Sequence, residues 1–277
     1  MKVLLFGASG QLGSALAFHK PSNAELLVPT HKDLDLGNTK DLETYLFDQR
    51  PEVIINTAAF HKTGDCEDFP EKAFQINAIA SRNLAKWSNQ LGARLVFIST
   101  DYIFNGKNNK KPYVENDLPH PLNTYGMSKW VGEVFIQNLC PHHYIVRVSS
   151  LFGKKKGGLD NFVNMVLEKA KKNPSLKMVQ DIYMSPTYAM DAAKEIWNLL
   201  NKERPFGIFH VTNDGYCHWL DFAKEILSIS GIKKNLIGVS HTEYPTKVTR
   251  PLWSVLGSQK GIKMRSWKEA LKDYLTK

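Results

Sequence analysis

The stretch KVLLFGASGQLGSALAF, residues 2–18, decides the fold. KVLLFG (2–7) reads as a buried strand, and GQLGSALAF (10–18) as the start of a helix. Between them Gly7, Gly10 and Gly13 stand in the spacing G-x-x-G-x-x-G. One glycine permits a tight turn, another lets the backbone approach a pyrophosphate, and the last allows close helix–strand packing. The helix N-terminus adds free N–H groups and a partial positive charge. Any strand–turn–helix can use glycine for geometric reasons, so the motif gains meaning only from the chain downstream. With a βα rhythm behind it, the loop is expected to bind a dinucleotide through Gly7, Ser9, Gly10, Gln11, Leu12 and Gly13.

That rhythm is present. AELLVPT (24–30), EVIINTAA (52–59), ARLVFIST (93–100) and HYIVRVSS (143–150) read as further strands. Helices are expected over 38–50, capped by Asn38 or Thr39 and stopped by Pro51, over 70–91 with Gly92 as C-cap, and over 123–139. Alternating strands and helices argue a parallel α/β sheet. After Gly153 the pattern loosens: KKKGGLD (154–160) looks like a loop, followed by helices at 160–172, 187–201, 217–230 and 266–276. SLKMVQD (175–181) and GIFHVT (207–212) read as strands among them. The expected division is a dinucleotide-binding domain over 1–153, with segments near 180–212 returning to it. Residues 154–277 would form mainly a smaller lobe, with no apolar interior of its own discernible in the pattern.

Composition bounds the function. At 277 residues, 43% hydrophobic and 23% charged, the chain can bury a full core and fits an ordinary globular enzyme of the cytoplasm. No stretch approaches the apolar length of a membrane span, and MKVLLFGASG is too short an apolar run for a signal peptide. Cys66, Cys140 and Cys217 are odd in number and lack a C-x-x-C pattern, so neither a disulfide framework nor a zinc site is expected. The net charge of +9 comes from dispersed lysines without an arginine-rich stripe, which suits an anionic small ligand or solubility better than nucleic acid.

The end of the second strand bears on the cofactor. An NAD site usually offers an acid there for the ribose 2′-hydroxyl. Here Thr30, His31 and Lys32 stand instead, and donors with a cation suit a 2′-phosphate, so NADPH is expected, with NADH left open. Further on, TYGMSKW (124–130) sets Tyr125 one helical turn ahead of Lys129. A free tyrosine, with pKa about 10, exchanges its proton poorly at neutral pH. A lysine on the same helix face, together with the charge of an oxidised nicotinamide, is expected to pull that pKa toward neutrality.

The glycine triplet, DLDL (33–36), NTAA (56–59), STDYIF (99–104), Tyr125-x-x-x-Lys129 and VRVSSLFG (146–153) occur in this order. On them the chain resembles the extended short-chain dehydrogenase/reductase superfamily and, within it, the dTDP-4-dehydrorhamnose reductase branch. FHVTNDGYCHW (209–219) and RPLWSVL (250–256) extend the resemblance over nearly the full length. It implies a Rossmann-type doubly wound parallel sheet with a smaller C-terminal substrate-binding lobe. It further implies Tyr125 as proton donor, Lys129 holding the nicotinamide ribose, Thr100 bonding the substrate carbonyl, and Asp101 orienting or polarising the site. Asp35 and Leu36 would lie by the adenine, Ala58 and Ala59 would leave room for the cofactor, and Val148 would pass near the nicotinamide. Asn77 would brace the active-site helix.

Departures concentrate where a substrate would sit. The branch's R-T-S-W becomes Arg147-Val148-Ser149-Ser150, its D-Q-x-G-x-P-T becomes DIYMSPT (181–187), and its R-P-x-N-S becomes RPLWS (250–254). Some members carry a metal-linked acid just after the glycine loop; Ser14 and Ala15 stand here, so no metal is expected. Arg250 could pair with a diphosphate, Trp219, Trp253 or Tyr216 could stack on a base, and Ser150 takes the place of the flanking tryptophan. The expected activity is NADPH-dependent reduction of the 4-keto group of a nucleotide-activated deoxysugar, for surface polysaccharide biosynthesis. Competing readings are an NDP-sugar epimerase or dehydratase with tightly bound NAD, and a non-catalytic subunit resembling the regulatory subunit of methionine adenosyltransferase. The oligomeric state stays open, a homodimer included.

Overall fold

The computed structural model describes residues 1–108, 110–154, 161–202, 204–244 and 246–276. The strands, in chain order, are β1 (Lys2–Phe6), β2 (Glu25–Leu27), β3 (Val53–Asn56), β4 (Arg94–Thr100), β5 (His143–Val148), β6 (Leu151–Phe152), β7 (Ser175–Val179), β8 (Tyr183–Met184), β9 (Thr187–Tyr188), β10 (Gly207–His210), β11 (Cys217–His218) and β12 (Asn235–Val239). The helices are α1 (Gln11–Phe18), α2 (Thr39–Gln49), α3 (Thr63–Asp68), α4 (Pro70–Phe74), α5 (Ala80–Leu91), α6 (Thr124–Leu139), α7 (Phe162–Lys172), α8 (Ala189–Asn201), α9 (Trp219–Ile229) and α10 (Trp267–Thr276).

Six strands make one sheet in the order β10-β5-β4-β3-β1-β2, every pairing parallel. Both faces are covered, which is why these strands read as continuous apolar runs rather than alternations. Val3, Leu5, Ile55, Val96 and Val146 point to the side of α1 and α8. Leu4, Ile54, Leu95, Phe97 and Ile145 point to the side of α2, α5 and α6. The indole of Trp197 on α8 donates to the Leu16 carbonyl at 3.0 Å, fastening α8 to α1.

Two expectations need correction. The helix over 70–91 is interrupted: between α4 and α5 the turn Gln75–Ile79 is π-helical. The C-terminal lobe does have an interior: Val163, Val166, Leu176, Phe222, Ile226, Trp267 and Leu271 lie in one buried cluster with Phe152. The sequence hid it because its members come from α7, β7, α9 and α10, each contributing only a few residues. Of the expected loop over 154–160, all but Lys154 lies outside the described residues, as does the start of the helix expected from 160.

Candidate active site

The sheet's chain order reverses between β1 and β3, since β2 lies on one side of β1 and β3 on the other. Ligands of open α/β sheets bind outside the carboxyl ends of the strands at such a switch point. A cavity of about 640 Å³ opens there, lined by the turn Ser9–Gly13, by Ala58 and Ala59 after β3, and by Thr100, Tyr125 and Val148. A second cavity, about 290 Å³, shares Ala58 and Ala59 and reaches Gly7, His31, Asp35, Leu36 and Lys72.

The glycine turn has the shape it does for steric reasons. Gly7 adopts φ +78°, and a Cβ there would stand 2.5 Å from Thr57 Oγ1. At Gly13 a Cβ would stand 2.1 Å from the Gly7 carbonyl oxygen, so α1 can approach the turn only without a side chain. Helix α1 has no side-chain cap and no acid in its first turn. Its leading N–H groups are therefore available to an anion. Gln11 Oε1, Ser99 Oγ and Trp219 Nε1, all on residues lining the larger cavity, are buried without a hydrogen-bond partner. An uncapped helix mouth and unmet polar groups fit a dinucleotide.

Helix α6 is seated by close contacts. The Asn123 side chain caps it by accepting from Gly126 N at 2.8 Å, while Thr124 donates its N–H and hydroxyl to the Glu67 carboxylate, each at 2.8 Å. A Cβ on Gly126 would lie 2.2 Å from the Tyr102 carbonyl oxygen, and one on Gly132 would lie 2.5 Å from that of Asn77. Asn77, in the π-helical turn, donates to Ser128 Oγ at 3.0 Å and to the Phe60 carbonyl at 2.9 Å. It thereby ties α6 to the segment after β3.

This packing brings Tyr125 and Thr100 to the cavity wall, with the Tyr102 ring edge-on to Tyr125 at 6.1 Å. Lys129 lies deeper: it is 1% exposed, and its Nζ sits 3.8 Å from the centroid of the Phe97 ring. Burial depresses the lysine to about 7, and the Glu133 charge offsets part of the fall. The Tyr125 phenol moves up rather than down, driven by burial and then by the Asp101 charge, with a hydrogen bond to Thr100 opposing. Burial, which strips water from both groups, dominates the two shifts here, and the expected pull of Lys129 on Tyr125 is not among their causes. Asp101 is itself buried and raised to about 6 by desolvation, despite hydrogen bonds from Ser254, Ser149 and Thr100.

The other expected site residues divide. Ser150 lines the cavity in a left-handed conformation, φ 43°, a strained setting for a residue other than glycine. Trp219 lines it from the first position of α9. Arg250 does not; it stands near Tyr102, whose phenol its charge lowers against a larger upward push from burial. Thr30 is already engaged, giving its N–H and hydroxyl to Asp33 at 2.9 and 2.7 Å. Lys32 is exposed and lines neither cavity. The lysine that lines the smaller one is Lys72 of α4, which the sequence motifs do not mark. Thr57, His61, Thr63, Ile98, Ser99, Tyr102 and Leu151 also line the larger cavity without having been singled out, though Thr57, Ser99, Tyr102 and Leu151 stand inside the NTAA, STDYIF and VRVSSLFG motifs.

Fold and site together define a class, a nicotinamide-dinucleotide oxidoreductase of the extended short-chain dehydrogenase/reductase type. The family described as RmlD substrate binding domain matches residues 1–277. The chain belongs to the dTDP-4-dehydrorhamnose reductase family. It is 37% identical to the spore coat polysaccharide biosynthesis protein SpsK of Bacillus subtilis, over 99% of this chain and 96% of that protein. It is 32% identical to the dTDP-4-dehydrorhamnose reductase of Salmonella typhimurium, over 100% of this chain and 97% of that one. Among solved structures, a dTDP-4-dehydrorhamnose reductase from Clostridium acetobutylicum superposes with TM-score 0.95 at 37% identity, covering 99% of this chain and 98% of that one. The Bacillus anthracis reductase, solved in complex with NADP, gives TM-score 0.94 at 36% identity, with coverage of 99% and 98%.

Proposed function

We propose that the chain catalyses the NADPH-dependent reduction of the 4-keto group of a nucleotide-activated deoxysugar of the dTDP-4-dehydrorhamnose type, in surface polysaccharide biosynthesis. One observation carries the reading: a single cavity is lined by the uncapped mouth of α1 and by the side chains of Thr100 and Tyr125. Bound NADPH would supply the hydride. Turn residues 9–13 would hold its pyrophosphate, and Ala58, Ala59 and Val148 would border the path to the reacting carbon.

The Tyr125 phenol would give its proton to the developing alkoxide. Because burial raises its pKa, the phenol is fully protonated at neutral pH, which is the form a reductase needs. Thr100 would turn its hydroxyl proton from Asp101 to the same carbonyl oxygen. Asp101, held by Ser149 Oγ at 3.0 Å, would orient Thr100, whose hydroxyl donates to it at 3.2 Å. Lys129 would bear on the reaction through its charge beneath Tyr125 and through the cofactor ribose. The lobe built mainly from residues 154–277 would bind the sugar nucleotide, with Ser150 and Trp219 on the cavity wall and Arg250 outside it, placed for a diphosphate rather than the reacting carbon. The polysaccharide setting is supported by the name of the Bacillus subtilis relative.

An NADPH-oxidation assay over dTDP-, GDP- and UDP-linked 4-keto-sugars tests this. Stoichiometric NADPH consumption with a 4-keto-sugar, greatest for the dTDP form, is expected. Conversion of the sugar without net NADPH consumption would instead assign an epimerase or dehydratase. NADPH binding without turnover of any sugar would assign a regulatory subunit.

A further inference from the structure

On α6 the residues Tyr125, Lys129 and Glu133 follow at four-residue steps and share a face. Glu133 is fully buried, one turn beyond Lys129, and Arg147 of β5 is 2% exposed. The Arg147 guanidinium grips the Glu133 carboxylate through two nitrogens, Nη2 at 2.7 Å and Nε at 3.1 Å. Its remaining nitrogen contacts the Glu115 carbonyl and the His210 ring, each at 3.4 Å, so the guanidinium is fixed from behind as well. A pair buried this deeply is weak evidence for stability, because an apolar pair of similar volume often serves as well or better. Its position offers a different use. It stands one helical turn beyond the buried lysine, whose ammonium lies over the Phe97 ring.

We propose that Glu133 and Arg147 are positioning residues that set the charge of Lys129: the carboxylate, oriented by the guanidinium, holds a proton on the Lys129 ε-amino group. The proposal rests on the reading of Lys129 as part of the reducing site. Other groups facing this length of α6 do not supply that charge. From β5, Arg147 is paired with Glu133, and His143 meets the Cys140 carbonyl at the far end of the helix. Asp101 and Tyr102 after β4, and Cys66 of α3, act on Tyr125. Glu67 is spent on Thr124. The π-helical turn contributes the neutral Asn77. Lys72 of α4 lies over Phe60, and Arg82 of α5 lies over Phe135. Among the described residues, Glu133 is the charged group that raises the proton affinity of Lys129 against its burial.

The test is the titration of Lys129 itself in the full chain. Its side-chain NMR resonance, carbon-13 labelled at Cε, is assigned by its loss in Lys129→Met. Glu133→Gln should move the midpoint down by about one pH unit or more. Since that variant leaves Arg147 buried and unpaired, the double variant Glu133→Gln/Arg147→Gln is measured beside it and should shift the same way. Glu133→Asp, which keeps the charge, should stay closer to the parent. A midpoint unmoved in the folded variants, with stability alone reduced, would overturn the proposal and leave the pair purely structural. The pH profile of kcat for NADPH oxidation separates the two readings. Its alkaline limb should follow the Lys129 midpoint; if the midpoint moves and the limb does not, the pair tunes Lys129 but Lys129 does not govern turnover.

Discussion

At Tyr125 and Lys129 the same force, loss of water, acts on two acids of opposite charge type and so moves their proton affinities in opposite directions. The phenol keeps its proton more tightly and the ammonium less so. Tyr125→Phe should lower kcat by about 10²–10⁴-fold, the usual value of a positioned general acid, while fluorescence titration shows NADPH binding nearly intact. Asp101 adds a pH signature. Its folded-state pKa, about 6, lies above the ordinary value of 3.8, so the folded chain holds the extra proton between those limits. Stability is therefore fully favoured by this group below pH 4 and declines as pH rises through 6. Asp101→Asn removes that decline. Denaturant unfolding at pH 4 and pH 7 should show the variant gaining, relative to the parent, on the order of 2–3 kcal/mol at the higher pH. At this scale the sequence disclosed that Thr100 and Tyr125 come to one cavity wall, but not that Lys129 sits deeper or that Arg250, Thr30 and Lys32 stay out of it. The four-residue step from Tyr125 to Lys129 is visible in the letters. The depth of Lys129, and the Glu133–Arg147 pair joining α6 to β5, exist only once the helix is packed on the sheet.

Among the elements, α6 bears most directly on the proposed chemistry, because its register determines where Tyr125 points. Gly126 is the contact that sets its height, touching the Tyr102 backbone where no side chain fits. Gly126→Ala should cost about 1–3 kcal/mol as the helix is forced outward, and should lower kcat more than it raises KM for NADPH, as steady-state kinetics would register. Asn123 works at the same end in two ways. Its oxygen caps the helix, and its amide donates to the Thr249 carbonyl at 2.9 Å, next to Arg250. Asn123→Ala should cost about 1–2 kcal/mol by thermal unfolding and raise KM for the sugar nucleotide. The cap at Asn38 and the αL stop at Gly92 (φ 68°) were legible, because cap chemistry is local. The π-helical turn at 75–79 was not: it serves Asn77's tertiary bonds, and its residues are unexceptional helix formers. Thr30 was misread for a related reason, since Asp33, three residues on, claims both of its donors before any ligand can.

For the whole molecule, the cleft lies between two apolar interiors, one under the parallel sheet's α1 face and one within the C-terminal lobe. A dinucleotide bound along the switch point should stabilise the assembly by mass action, about 2.7 kcal/mol at one hundred times its Kd. Thermal unfolding with matched concentrations of NADPH and NADH should show the larger rise with NADPH; equal rises and equal catalytic efficiency would refute the preference. The parallel sheet could be read from its strands because burial on both faces leaves continuous apolar runs. The lobe's two-residue strands β6, β8, β9 and β11 leave no such trace.

The sheet's last strand, β10, has a bearing on how the protein is made. It closes the open edge of β5, and the bond from Trp197 to Leu16 joins residues 181 positions apart. On the ribosome, β1 through β5 emerge long before α8 and β10 exist. Until about residue 210 has cleared the exit tunnel, the nascent chain carries a bare strand edge and an uncovered apolar helix, the two features that most invite association with other chains. Completion of the sheet is therefore a late, non-local event, and it is at this step that translation speed and chaperone binding would govern how much active protein accumulates.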